Sequence, residues 1–294
     1  MDVPFFASAG RFAAMRPFRF GVALVGSGSR AEWVAKCRQA EDLGYDVVGV
    51  VDHLGRVAPV PAVLLAAEAT ERIKLNTYVL NASFHNPVLL ARDLTGLDEF
   101  TGGRLEIGIG AGYVRAEFEA AGIEWGTPGQ RFGRLKRVVA EIERAYADRP
   151  RPPLLLGGRG DRMLQFAAEH ADTIAFTGTT PGAAEGRLAL AGPAALTERV
   201  EFAKRALGGR DAELNLMVHL VRITDDRQAA LDAAHQLVPH LGVDELGELP
   251  TVLAGSADAA AEQLLRTRET LGVSYFTVIE EDLTKLAPVI EKLR

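Results

Sequence analysis

Short apolar runs alternate along this chain with amphipathic stretches of helix length, the pattern of a parallel α/β protein. The runs at 18–25, 46–51, 73–80, 104–109, 154–156, 173–176, 214–223 and 275–279 read as strands. Helical stretches fall at 31–43, 64–71, 87–100, 131–146, 162–170 and 257–271; Gly44 stops the first, and Pro87 suits the first position of the third. The Ala- and Gly-rich segment 181–209 reads as a mobile βα loop followed by a helix. Eight strands are the number that closes a barrel. An open doubly wound sheet uses the same alternation, and periodicity does not separate the two. Strand count, chain length and the first βα turn, Gly26-Ser27-Gly28-Ser29-Arg30, which lacks the third glycine of a dinucleotide fingerprint, favour an α/β (β/α)8 barrel. On this reading 1–15 is an N-terminal extension and 16–294 one barrel domain.

Composition narrows the partners. Across 294 residues the net charge is -6 and basic residues are scattered, so no footprint for nucleic acid appears. No run reaches membrane-spanning length, and the first residues lack the apolar core of a signal peptide. The single cysteine, Cys37, excludes a disulfide framework and fits a reducing cytoplasm. Although Lys36 and Arg38 flank it, a cysteine in an amphipathic helix reads as a core-facing apolar residue.

In such a barrel the catalytic groups project from loops that follow the strands. Asp52-His53 follows the second run: a histidine exchanges protons near neutrality, and the adjacent carboxylate can orient it or contact a ligand heterocycle. A turn-capping Asp52 with a merely exposed His53 explains the pair equally well. The third run ends in Tyr78-Val79-Leu80-Asn81, either a backing surface for a planar ring or an ordinary core layer, and the residues alone favour the core layer. Gly110-Ala111-Gly112-Tyr113, Gly157-Gly158-Arg159-Gly160 and Thr177-Gly178-Thr179-Thr180 follow the next three runs. Glycine lets backbone N–H groups approach an anion, and Arg159 adds charged donors. Any one loop is explained by a tight turn; three in succession point to an anion seat. No metal-ligand spacing, nucleophile elbow or Walker pattern is present. Glu280-Glu281-Asp282 reads as a solvated run opening the last helix.

The order of these motifs resembles the luciferase-like monooxygenase superfamily, and within it the actinobacterial deazaflavin-dependent oxidoreductases that use coenzyme F420. The resemblance runs over about 16–278. Its most specific part is Asn86-Pro87-Val88-Leu89-Leu90-Ala91-Arg92, continuing through Leu97-Asp98-Glu99-Phe100-Thr101-Gly102-Gly103-Arg104 to Gly108-Ile109-Gly110-Ala111-Gly112-Tyr113 and Glu117-Phe118. It implies a luciferase-like TIM barrel, commonly dimeric, with the cofactor at the strand C-termini. By position it puts Asp52 and His53 beside the ring, with His53 as the proton-transfer residue. Tyr78-Val79 matches a non-proline cis peptide that bulges behind the ring, with Asn81 just beyond. Gly110, Ala111, Gly112, Tyr113, Gly157, Gly158, Arg159, Gly160, Thr177 and Gly178 match the surroundings of the tail and phosphate. Two departures stand out: the segment between Tyr146 and the fifth run is shorter than in related chains, and Tyr113 replaces the glutamate of the sugar-phosphate dehydrogenase branch.

The resemblance therefore implies an F420-dependent oxidoreductase that transfers a hydride to or from a small organic substrate. His53 or solvent supplies the proton, no metal takes part, and the chain is a cytoplasmic homodimer. An FMN-dependent monooxygenase on the same barrel is the enzymatic alternative. A barrel without catalysis, serving a binding or structural role, is the third.

Overall fold

The computed structural model describes residues 16–26, 28–182 and 188–294; the expected extension over 1–15 lies outside the described residues. Eight parallel strands close a barrel: Arg19–Leu24, Val47–Val50, Lys74–Thr77, Leu105–Gly110, Leu154–Gly157, Thr173–Phe176, Glu213–Val218 and Tyr275–Ile279. Consecutive strands pair, and the first pairs with the eighth with Arg19 opposite Tyr275, so the sheet keeps no open edge.

Side-chain alternation divides these strands between two environments. Outward residues such as Phe20, Val22, Val48, Ile107 and Leu156 join the surrounding helices in the main core, each contributing roughly 1.5–3 kcal/mol on full burial. Inward residues Val47, Leu155, Ala175 and Tyr275 pack separately with Tyr78 and Val79 in the lumen. Glycine is needed where strands crowd: a Cβ on Gly108 would lie 2.0 Å from the Thr77 carbonyl oxygen, and one on Gly49 2.7 Å from Tyr78 Cβ. At the N-terminal end of the lumen, Arg19 pairs with Glu106 and, at 2.6 Å, with Glu213, while its guanidinium sits 4.6 Å from the centre of the Tyr275 ring. The opposite, C-terminal end opens into a cavity.

The third run is interrupted at Tyr78-Val79, whose peptide bond is cis, as the resemblance implies, and it resumes as Leu80–Asn81 beside the fourth strand. Other expectations need correction. The seventh run also divides. Leu220–Ile223 leaves the barrel because the N–H groups of His219 and Leu220 turn to the Thr251 carbonyl, and the segment pairs with Val252–Gly255 outside it. The loop expected from 181 is instead part of a short antiparallel pair, Thr179–Pro181 against Leu188–Leu190, before the expected helix, Pro193–Leu207. Finally, Glu280-Glu281-Asp282 is not a solvated run. Glu280 accepts the Val25 N–H at 2.7 Å and pairs with Lys36, and Asp282 is buried with Lys285 at 2.6 Å. Helix starts also move: 64–71 becomes Pro59–Ala69 and 131–146 becomes Pro128–Ala145, each opened by a proline. Cys37 faces the core as expected, and burial pushes its thiol up to about 12.

Candidate active site

The loops beyond the strand C-termini surround one cavity of about 1500 Å³. Asp52, His53, Tyr78, Val79 and Asn81 line it on the side of the second and third strands. Gly110, Ala111, Gly112 and Tyr113 continue the wall, followed by Gly157, Gly158, Arg159, Gly160 and Thr177. Gly178 and Thr180 of the sixth loop do not line it, and Gly178 serves the backbone. With φ of 64° and its carbonyl accepting the Ala191 N–H at 2.9 Å, it turns the chain into the antiparallel pair.

Asp52 both lines the cavity and braces the protein. Its Oδ2 accepts the Asn81 N–H at 2.8 Å and lies 3.3 Å from His85 Nε2, tying the second loop to the resumed third strand. Asn81 in turn accepts the Ser83 N–H through its side chain. His53 Nδ1 lies 2.8 Å from Glu117 Oε1, in the first turn of the helix Arg115–Ala120. Since an ionised carboxylate only accepts, the proton belongs on Nδ1, and Nε2 remains for a ligand. The Tyr113 ring stands edge-on to His53 with centroids 5.8 Å apart, and burial together with Glu117 raises its phenol pKa.

The bulge is anchored from below. Tyr78 Oη donates to Asn215 Oδ1 at 2.8 Å, and Asn215 Nδ2 donates to Thr277 Oγ1 at 2.9 Å. Burial raises the Tyr78 phenol pKa, so it stays a neutral donor. Val79 is left against Gly110 and Gly157: a Cβ on Gly110 would come 2.8 Å from Val79 Cγ2, whereas one on Gly157 would meet nothing closer than 3.8 Å. Gly157 therefore leaves open floor in front of Val79.

Beyond that floor, Gly160 is the N-cap of the helix Asp161–His170, whose first N–H groups favour an anion. Arg159 and Arg162 line the same end, and neither has a carboxylate partner among the described residues; Arg162 stacks over Phe132, 5.3 Å from its centre. Burial without a counter-ion lowers the Arg159 pKa, and it remains a cation. Sequence reasoning passed over Arg162, His219 and the role of Glu117. Glu117 stood inside a quoted motif, but its meeting with His53, 64 positions away, leaves no local signal.

The model of the family described as luciferase-like monooxygenase matches residues 11–289. The chain belongs to that family. Among curated proteins, it is 26% identical over 253 residues to a 5,10-methylenetetrahydromethanopterin reductase of Archaeoglobus fulgidus, covering 80% of this chain and 72% of that protein. It is 34% identical over 110 residues to an F420-dependent glucose-6-phosphate dehydrogenase of Kribbella flavida, covering 34% of this chain and 33% of the other. A solved F420-dependent secondary alcohol dehydrogenase, in complex with an F420-acetone adduct, superimposes with a TM-score of 0.73 at 17% identity, covering 95% of this chain and all of that one. That likeness shows a shared fold, the luciferase-like (β/α)8 barrel.

Proposed function

We propose that this cavity holds coenzyme F420 and that the chain is an oxidoreductase exchanging a hydride between it and a small organic substrate. The carrying observation is that one cavity joins an open floor at Gly157 and Val79 to a helix N-terminus flanked by two guanidinium groups that have no carboxylate partner among the described residues. A planar ring with an anionic tail needs these two features in that order. Relatives named for F420 chemistry support the same reading.

Bound there, a deazaflavin supplies two-electron hydride chemistry. Val79 backs the ring, and Gly157 makes room for it. Arg159, Arg162 and the N–H groups after Gly160 hold the anionic tail. His53, with Nδ1 held by Glu117, offers Nε2 to accept or return the substrate proton. The chain is further proposed to act in the cytoplasm as a homodimer; exposed Val88 and Leu89, at the start of the helix Pro87–Phe100, fit a covered face. Among the described residues no helix is long and apolar enough to cross a membrane.

Cofactor titration tests the reading. Submicromolar F420 binding with weak FMN binding is the expected result. The reverse preference would turn the assignment to an FMN monooxygenase, and binding of neither would leave a barrel without redox chemistry. Light scattering of the purified chain checks the dimer.

A further inference from the structure

We propose that His219 is a specificity-determining residue whose Nδ1 accepts a hydrogen bond from the hydroxyl of a small, otherwise apolar substrate. This rests on the reading above, in which a planar ring lies on Val79.

In an eight-stranded barrel the seventh strand stands opposite the third, and the 2.8 Å bond from Tyr78 to Asn215 shows the two meeting across the lumen. Asn215, Met217 and His219 succeed one another at the two-residue spacing that keeps side chains on one face. Met217 and His219 both line the cavity, so a ring resting on Val79 turns its free face toward them.

The state of the His219 imidazole follows from its neighbours. Nε2 lies 2.6 Å from the Thr177 carbonyl oxygen. A carbonyl only accepts, so Nε2 carries the hydrogen. Burial lowers the pKa of the ring, outweighing that hydrogen bond, and the imidazole is neutral near pH 7. Nδ1 therefore presents a lone pair. It has no partner among the described residues, and it is not one of the sealed orphan atoms such as Asn76 Oδ1, so it opens onto the cavity. Of the other polar groups in the lining, Thr177 Oγ1 bonds Thr179 Oγ1 at 2.7 Å, and His240 spends its Nε2 on the Leu190 carbonyl oxygen at 3.0 Å. The surrounding wall is apolar, with Met217, Leu220, Leu190, Val238 and Ile279.

An unmatched acceptor in an apolar wall selects a ligand with a donor and rejects the analogue without one. A carboxylate brings only acceptors to Nδ1. An ammonium would have to leave water for a wall formed by Met217, Leu220 and Ile279. The neutral donor that remains is a hydroxyl, and since the proton that accompanies hydride exchange belongs to His53, this hydroxyl lies apart from the reacting carbon.

The test uses the chain loaded with reduced F420, on which an alcohol forms a dead-end complex, and isothermal titration with two probes of like shape. Cyclohexanol is expected to bind about tenfold more tightly than methoxycyclohexane. His219→Phe, which keeps apolar bulk, should abolish that preference, and His219→Gln, which retains one donor and one acceptor, should restore part of it. Equal affinities in the native chain, or a preference surviving in H219F, would overturn the proposal while leaving the cofactor assignment intact. F420 failing to bind at all would remove both. Nitrogen NMR of the cofactor-free, histidine-labelled chain, with H219Q assigning the signal, should find Nε2 protonated and Nδ1 bare at neutral pH; the other tautomer or an imidazolium overturns the proposal independently.

Discussion

At the scale of single residues, the site divides into groups that hold the protein and groups that face a ligand. Asp52 belongs to both, because its Oδ2 is occupied by Asn81 and His85 while the residue lines the cavity. His53 belongs to the second, because Glu117 occupies only Nδ1. His53→Ala should slow single-turnover hydride transfer by about 10²–10³-fold while F420 affinity changes little. Stopped-flow absorbance of the deazaflavin measures the rate, and an unchanged rate removes His53 from proton transfer. Two adjacent glycines make a sharper probe of the cofactor floor. A Cβ on Gly158 would lie 2.4 Å from Met163 Cγ, so a bulky residue there disturbs the helix behind it. Gly157 has room for a Cβ, and a valine would occupy the floor itself. Gly157→Val should therefore keep the thermal midpoint within a few degrees while weakening F420 binding at least about tenfold. Full affinity in this variant would mean that the ring lies elsewhere.

At the scale of elements, buried carboxylates join segments that periodicity treats as separate. Glu280, at the end of the eighth strand, holds the loop after the first through the Val25 N–H and Lys36. Glu41, in the helix Arg30–Asp42, accepts N–H groups of Glu71, Arg72 and Ile73 just before the third strand. Burial alone would raise the Glu41 pKa, but these donors outweigh it and hold the carboxyl below its ordinary value of 4.5. A depressed folded pKa contributes stability that is present above the unfolded value and lost as pH falls through the folded one. Glu41→Gln should cost about 1–2 kcal/mol near neutrality, and the deficit should shrink in acid. Urea unfolding in neutral and acidic buffers reads both, and a deficit independent of pH would assign the loss to packing instead.

For the whole molecule, barrel closure brings together residues far apart in sequence. Arg19, Glu106 and Glu213 come from the first, fourth and seventh strands and meet in the closed end of the lumen. Burial keeps the Glu213 pKa above its ordinary value even with Arg19 beside it. Arg19→Met would leave two buried carboxylates without their cation, at a cost of about 3–5 kcal/mol. Glu213 would then hold its proton more tightly in the folded state, a contribution present at low pH and lost as pH rises through the folded pKa. The variant should accordingly regain stability on acidification, visible in its denaturation midpoint. A constant deficit would show that the charges are relieved by water.

What the chain's sequence determines by itself is the alternation of strands and helices, the eight barrel strands, and the chemistry waiting at strand ends: His53 after the second, glycines after the fourth and fifth, Arg159 among them. These are local properties, set by side-chain periodicity and backbone freedom over a few residues. Tertiary structure alone decided the rest. It split the 214–223 run at His219, because a carbonyl from residue 251 captures the backbone there. It took Gly178 out of the cavity and put Glu117 against His53. It set Tyr78 across the lumen from Asn215, 137 positions away. Contacts over such separations exist only once the sheet closes on itself, so no pattern confined to a short window carries them.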